Sequence, residues 1–184
     1  MNQHYTSTAK LLHWGMAVVI AGLITLGFVM TDMPLSPEKL QYYSWHKWAG
    51  VSVFMLVWLR LGWRVLNPPP PYPSAMSPLM QRLAHAGHAA LYALMVIIPV
   101  SGWLLSSAKG VQTVWLGVLP LPDLLEKNKE LGHLLREVHE SLNYLLLVLL
   151  AGHVAAAFKH HWLDRDDIFK RMLPFGSASS KDNA

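Results

Sequence analysis

Two histidines in the last apolar stretch of this chain, His139 and His153, have a spacing that suits metal binding. They are fourteen residues apart, which is close to a whole number of helical turns, so both imidazoles lie on one side of a helix and about 21 Å apart along its axis. Two further histidines, His13 and His46, stand near the starts of two other apolar stretches. Imidazoles that face one another at two depths of an apolar bundle are the ligands that two six-coordinate haems require.

The elements that must hold these histidines are membrane-spanning helices. Hydrophobic residues make up 53% of the 184 residues and charged residues only 14%, against roughly a quarter in soluble domains. We expect an all-α, integral membrane four-helix bundle with the haem sites in its core. We expect one transmembrane cytochrome b domain over residues 1–184, with a cytoplasmic tail at 159–184. Crossing the hydrocarbon core takes about 20 apolar residues, and the predicted spans are about 11–30, 46–66, 83–108 and 138–158.

The absence of cysteine and the distribution of charge exclude several classes of function. A chain without cysteine has no disulfides, iron–sulfur clusters, thiolate haem ligands or thiol catalysis. The net charge of +4 does not indicate nucleic-acid binding, because the basic residues flank apolar runs and form no continuous patch. Retention at the surface of a lipid bilayer explains them better.

Basic residues also predict the orientation of the four spans. The side that carries both termini has more of them and most of the arginines, and cytoplasmic segments of membrane proteins are the more basic ones. We therefore expect both termini in the cytoplasm. On the opposite side, residues 111–133 form the longest connection, whose apolar beginning is typical of a segment at the membrane interface. The basic residues on the terminal side are Lys10, Arg60, Arg64, Arg82, Lys159, Arg165, Lys170 and Arg171.

Depth in the membrane pairs some histidines and leaves one choice open. In a four-span topology His46 and His139 both lie near the outer side, whereas His13 and His153 both lie near the inner side. His88 matches the depth of His153 at least as well as His13 does, so depth alone does not identify the inner partner. Gly15, Gly50 and Gly152 stand where a macrocycle would approach the backbone.

Several segments resemble the prokaryotic cytochrome b561 family, which is related to the membrane cytochrome b subunits of respiratory hydrogenases and formate dehydrogenases. The resemblance covers nearly the whole chain, and the spacing of the two histidines on the fourth helix is specific to it. The matching segments are LLHW at 11–14, WHKWAG at 45–50, LAHAGHAALY at 83–92, VHESLNY at 138–144, AGHVAAAFKHH at 151–161 and DDIFKRMLP at 166–174.

The resemblance implies two haem b groups with four axial histidine ligands to iron. His13 and His153 would bind the inner haem, and His46 and His139 the outer one. It also implies a multi-pass protein of the bacterial inner membrane that transfers electrons between an outer-face redox partner and the quinone pool. Superoxide oxidation coupled to ubiquinone reduction is one activity known in this family.

Four other residues are candidates for contacts to a quinone or to haem propionates. The resemblance leaves His85 and His88 free for such work. Arg60 and Arg64 line the cytoplasmic end, where a guanidinium group can bind a carboxylate through two parallel hydrogen bonds.

Two alternatives to a free-standing oxidoreductase belong to different functional classes. The chain could be the quinone-reactive cytochrome b anchor of a periplasmic dehydrogenase. It could also be a histidine-lined metal transporter, but such a protein usually has carboxylates within its spans, and the predicted spans have none beyond Glu140 at the start of the fourth. Haem content separates the metal transporter from both haem proteins.

Overall fold

The computed structural model describes residues 4–174, and their architecture is a bundle of four long helices. Each helix is long and apolar enough to cross a membrane, which confirms the all-α membrane bundle expected from the sequence. The helices are α1 (Ser7–Asp32), α2 (Pro37–Leu66), α3 (Pro78–Ala108) and α4 (Lys129–Lys159).

Short polar side chains determine where these helices begin. Thr6 Oγ1 accepts a hydrogen bond from the backbone N–H of Ala9 at the start of α1. Ser36, Ser77 and Asn128 do the same for α2, α3 and α4. A capping oxygen satisfies a backbone donor that has no partner inside the helix, so these caps fix the first turn of each histidine-bearing helix.

Consecutive helices pack against one another, α1 on α2, α2 on α3 and α3 on α4. Met16, Val53 and Val57 form a small buried core between α1 and α2, against which side chains of α3 also pack. Many other large apolar side chains, such as Leu59 and Val148, are exposed on the helix surfaces. This distribution suits a bundle surrounded by lipid, whose tails are as apolar as leucine.

A short β-hairpin follows α3 and lies at one end of the bundle. Its strands are β1 (Val114–Trp115) and β2 (Leu119–Pro120), which pair in antiparallel fashion. Leu116, Gly117 and Val118 connect the strands, and the first two have left-handed backbone angles, with φ of 53° and 73°. We call this end of the bundle the hairpin end, and the end where α1 begins and α4 ends the terminal end.

The segment after α4 folds back onto the terminal end. A π-helical turn, His160–Asp164, leads into the short helix α5 (Ile168–Met172). The indole Nε1 of Trp14 in α1 donates a hydrogen bond to the carbonyl of Met172 at 2.9 Å. The predicted tail at 159–184 is therefore partly helical as far as it is described, and residues 175–184 lie outside the described residues.

Candidate haem sites

Imidazoles face one another at two levels of the bundle. Near the hairpin end, the ring centroids of His46 in α2 and His139 in α4 are 6.3 Å apart. Near the terminal end, the ring centroids of His13 in α1 and His153 in α4 are 6.2 Å apart. The geometry thus brings together both histidine pairs that the resemblance implies.

A serine on α3 orients the His139 ring. The Ser101 hydroxyl donates to the carbonyl of Ile98 at 2.7 Å, and so its lone pairs are available to His139 Nδ1, which lies 2.8 Å from Ser101 Oγ. With the hydroxyl proton used on Ile98, Ser101 Oγ accepts a hydrogen bond from His139 Nδ1–H, and we assign the ring proton to Nδ1 on that basis. The other ring nitrogen, Nε2, is left with a free lone pair, which is the state in which a neutral imidazole binds a metal.

Two glycines allow helices to approach the hairpin-end histidines closely. An ideal Cβ on Gly102 would lie 3.1 Å from His139 Cε1, and one on Gly27 would lie 3.6 Å from His46 Cε1. Any side chain on Gly102 would therefore press on the His139 ring. Ser101 and Gly102 together confine this ring between a hydrogen bond and the α3 backbone.

The terminal-end level contains a third imidazole. His88 of α3 lies close to His153, with ring centroids 5.5 Å apart and planes inclined by 75°. His13 and His88 thus both approach the same histidine of α4 from different helices. Depth in the membrane does not decide whether His13 or His88 is the partner of His153, and the distances between the rings do not decide it either.

Arg60 determines the tautomer of His13 in this arrangement. Arg60 Nη2 lies 2.8 Å from His13 Nδ1, and a guanidinium group is only ever a donor. His13 Nδ1 must accept this bond, so the proton of the neutral ring sits on Nε2. An imidazole that binds iron through Nε2 needs its proton on Nδ1. Arg60 must therefore leave His13 Nδ1 before His13 can act as an Nε2 ligand.

A cavity of about 470 Å³ opens around the three terminal-end histidines, within the usual size range of roughly 300–1,000 Å³ for cofactor sites. Arg60 and Arg64 line it and lie over the Tyr92 ring, with guanidinium carbons 5.5 and 5.9 Å from the ring centroid. Arg171 of α5 also lines the cavity and donates to the carbonyl of Pro71 at 2.8 Å. The cavity is thus apolar with a cationic rim.

Two phenols of the terminal end face the same cavity from outside the spans. Burial raises the pKa of Tyr5 and of Tyr72, and the nearby Arg64 guanidinium offsets part of this rise. Both phenols therefore stay protonated at neutral pH and can donate hydrogen bonds to a carboxylate or a carbonyl.

The residues at both levels fit haem b. An imidazole nitrogen binds a transition metal at about 2 Å, and two axial imidazoles of one iron thus have ring centroids roughly 6 Å apart. Both pairs have this separation. An added Cβ at Gly15, Gly50 or Gly152 would meet nothing within 4 Å, so a side chain would have room at each of these three positions.

One candidate from the sequence lies outside the cavity, and three residues of the candidate sites were not identified from the sequence. His85 is exposed and packs edge-on against Tyr72, with centroids 5.2 Å apart. Ser101 and Gly102 were missed, although a hydroxyl within a charge-free span is a signal of an interhelical hydrogen bond. Arg171 contributed to the sequence analysis only as a basic residue that predicts orientation, because nothing in the sequence shows that α5 folds back.

Three lysines gather around a second cavity, of about 240 Å³, at the hairpin end: Lys109, Lys127 and Lys129. Burial lowers the pKa of Lys109, and Arg136 lowers it further. Arg136 itself forms an ion pair with Glu140 at 2.7 Å, which offsets part of its positive charge.

The fold and the facing imidazoles define a membrane cytochrome of the b type. The family model for prokaryotic cytochrome b561 matches residues 4–175, and the chain belongs to this family. Membership confirms the resemblance drawn from the histidine-bearing segments, and it implies haem b binding and electron transfer in a membrane.

Curated relatives match along nearly their whole length. The chain is 35% identical to cytochrome b561 homolog 2 of Escherichia coli (strain K12) in an alignment of 187 positions that covers 97% of this chain and 94% of that protein. It is 27% identical to the probable superoxide oxidase CybB of Yersinia pestis, over 95% of this chain and 98% of that protein. It is 26% identical to cytochrome b561 homolog 1 of Escherichia coli (strain K12), over 92% of this chain and 97% of that protein.

Proposed function

We propose that this protein holds two haem b groups and carries electrons across the bacterial inner membrane to ubiquinone. His46 and His139 would bind the haem at the hairpin end, and His13 and His153 the haem at the terminal end. The observation that carries this proposal is the pair of facing imidazoles at each of two levels, both built on α4.

The protein residues supply orientation and charge. Haem b supplies a one-electron carrier whose potential depends on its axial ligands and surroundings. Ser101 holds His139 in the tautomer that leaves Nε2 free. Arg60 and Arg64 form the cationic rim of the terminal-end cavity, where haem propionates need counter-charges. Arg60 would have to bond a propionate in place of His13 Nδ1 for His13 to bind iron through Nε2.

His88 has a different role in this proposal. It lies against His153 and lines the same cavity as the two arginines. An imidazole there can bond a propionate or a quinone carbonyl. His85 lies outside the cavity, beside Tyr72, and is the outermost candidate for a quinone contact.

Superoxide is the electron donor that we propose, at the hairpin end of the bundle, which would face the periplasm. Two observations support this choice. The relative CybB of Yersinia pestis is named a probable superoxide oxidase, and Lys109, Lys127 and Lys129 surround a cavity at this end. A cationic cleft raises the local concentration of a small anion and its association rate.

Proteoliposomes with ubiquinone in the bilayer test the proposed activity. Superoxide generated outside the vesicles should reduce the haem, as seen in its absorption spectrum, and then produce ubiquinol. Superoxide dismutase should abolish both signals. The His139→Ala variant is the matched control, because it should lose the haem at the hairpin end. Fully haem-loaded protein that superoxide does not reduce would rule out superoxide as the donor, while leaving haem-based electron transfer in place.

A further inference from the structure

The hairpin is fixed to α2 by side-chain hydrogen bonds. Trp48 Nε1 donates to the carbonyl of Val114 at 2.6 Å, and Trp115 Nε1 donates back to the carbonyl of Trp48 at 3.2 Å. Lys47 Nζ donates to the carbonyl of Val111 at 3.1 Å. These bonds give the hairpin a defined depth along α2.

That depth lies within the apolar part of α2. Trp115 Nε1 also approaches Ser52 Oγ at 3.3 Å, and Ser52 lies six residues beyond His46 along α2, or about 9 Å further into the bundle. Helical spacing puts Trp48 and Ser52 on the same face as Met55 and Leu59. The last two are 44% and 57% exposed. The hairpin therefore continues the apolar surface that α2 presents to lipid.

The exposed tip of the hairpin is apolar. Leu116, Val118 and Leu119 are 54%, 84% and 52% exposed, and no residue from 111 to 122 is charged. Leu116 has a left-handed backbone conformation, which residues other than glycine rarely adopt. Burial of the leucine side chain in a bilayer would offset the free-energy cost of this conformation, whereas exposure of the side chain to water would not.

Part of the hairpin backbone has the protein partners that hydrocarbon would require. Polar backbone groups in the bilayer core need protein partners. Besides the β1–β2 pairing, Leu121 N–H donates to the Thr113 carbonyl at 2.8 Å and Val118 N–H to the Trp115 carbonyl at 3.1 Å. Charge returns only at Asp123, beyond the second strand.

We propose that the hairpin is a membrane anchor whose tip, made of Leu116, Val118 and Leu119, inserts among the phospholipid acyl chains of the leaflet at the hairpin end. The occupant of this surface is lipid. The anchor would hold the connection between α3 and α4 at a fixed depth beside α2, independently of which molecule donates electrons.

Site-directed fluorescence tests the anchor directly, because the chain has no cysteine and a single introduced thiol can be labelled alone. Val118→Cys carries an environment-sensitive nitrobenzoxadiazole label in phosphatidylcholine–phosphatidylglycerol nanodiscs. Glu126→Cys, at an exposed site in the same connection, is the matched control. Phospholipids with a nitroxide on the upper acyl chain should quench the Val118→Cys label several-fold more than the control label, and its emission should shift to shorter wavelength.

Two other outcomes would overturn the proposal. Quenching of the Val118→Cys label by aqueous iodide as strong as in Glu126→Cys would place the tip in water. Protection from both iodide and nitroxide lipid would mean that protein, such as a second copy of this chain, covers the tip. Leu119→Cys repeats the measurement should Val118→Cys fail to keep the haem spectrum of the unmodified protein.

Discussion

Gly102→Ala places a methyl group against the His139 ring. An ideal Cβ there lies 3.1 Å from His139 Cε1, whereas carbon atoms in good contact are about 3.5–4.0 Å apart, so the ring must move by about 0.4 Å or more. Ser101 holds His139 Nδ1 at 2.8 Å, which restricts the escape of the ring. Metal–ligand distances in a sound site vary by only about 0.2 Å, so the displaced imidazole is a poor axial ligand.

The expected loss concerns the cofactor and not the helix. Alanine favours a helix over glycine by about 1 kcal/mol, so α3 itself should not be weakened. Disturbing the groups that orient a metal-bound histidine costs roughly 10–100-fold in affinity, which corresponds to about 1.4–2.7 kcal/mol. We expect Gly102→Ala to lower the affinity for haem at the hairpin end by this factor and to leave the haem at the terminal end in place.

Haem content per chain, reduced-minus-oxidised spectra and redox titration measure this outcome. Two glycine-to-alanine variants provide graded controls. A Cβ on Gly22 would meet nothing within 4 Å, and one on Gly27 would lie in ordinary contact, 3.6 Å from His46 Cε1. Gly22→Ala should therefore behave as the unmodified protein and Gly27→Ala should show a small effect. Unchanged haem content and potentials in Gly102→Ala would refute the account of His139 as a confined ligand.

Three further predictions concern the ligand choice, the tuning of potential and the charged surface. His13→Ala should lose the low-spin haem at the terminal end while His88→Ala keeps it; the reverse pattern in their spectra would make His88 the inner ligand. Ser101→Ala should raise the midpoint potential of the hairpin-end haem. A tenfold change in the one-electron reduction equilibrium of this haem corresponds to 59 mV, so we expect a rise of up to about 60 mV. An unchanged redox titration would show that the serine does not tune this potential. Lys127→Gln with Lys129→Gln should slow reduction by superoxide in stopped-flow traces, most at low salt; equal rates at all salt concentrations would exclude steering by these lysines.

The bundle and the levels of its histidines could be predicted from the sequence, because both depend on features with a direct physical signature. Apolar stretches of sufficient length mark the spans, and the spacing of His139 and His153 fixes their common face. The partner of His153 is different. His13 and His88 reach it from separate helices, and the rotation of each helix about its axis depends on packing that no local pattern determines.

The contacts that tune the candidate sites depend on tertiary structure. Ser101 meets His139 only because of the register between α3 and α4. The hairpin has a leucine at φ 53°, where the preferred residues are asparagine, aspartate or glycine, so its turn lacks the usual sequence signal. Only an interfacial segment could be expected between α3 and α4. The Arg60–His13 bond has no sequence signature at all.

Haem stoichiometry in ligand variants tests the central claim most directly. The purified protein in mild detergent should contain two low-spin b haems per chain by extraction and quantified protein. His139→Ala should retain only the terminal-end haem and His153→Ala only the hairpin-end haem, with distinct spectra and potentials. A single haem in the unmodified protein, or a variant that keeps both, would contradict two haems held on α4.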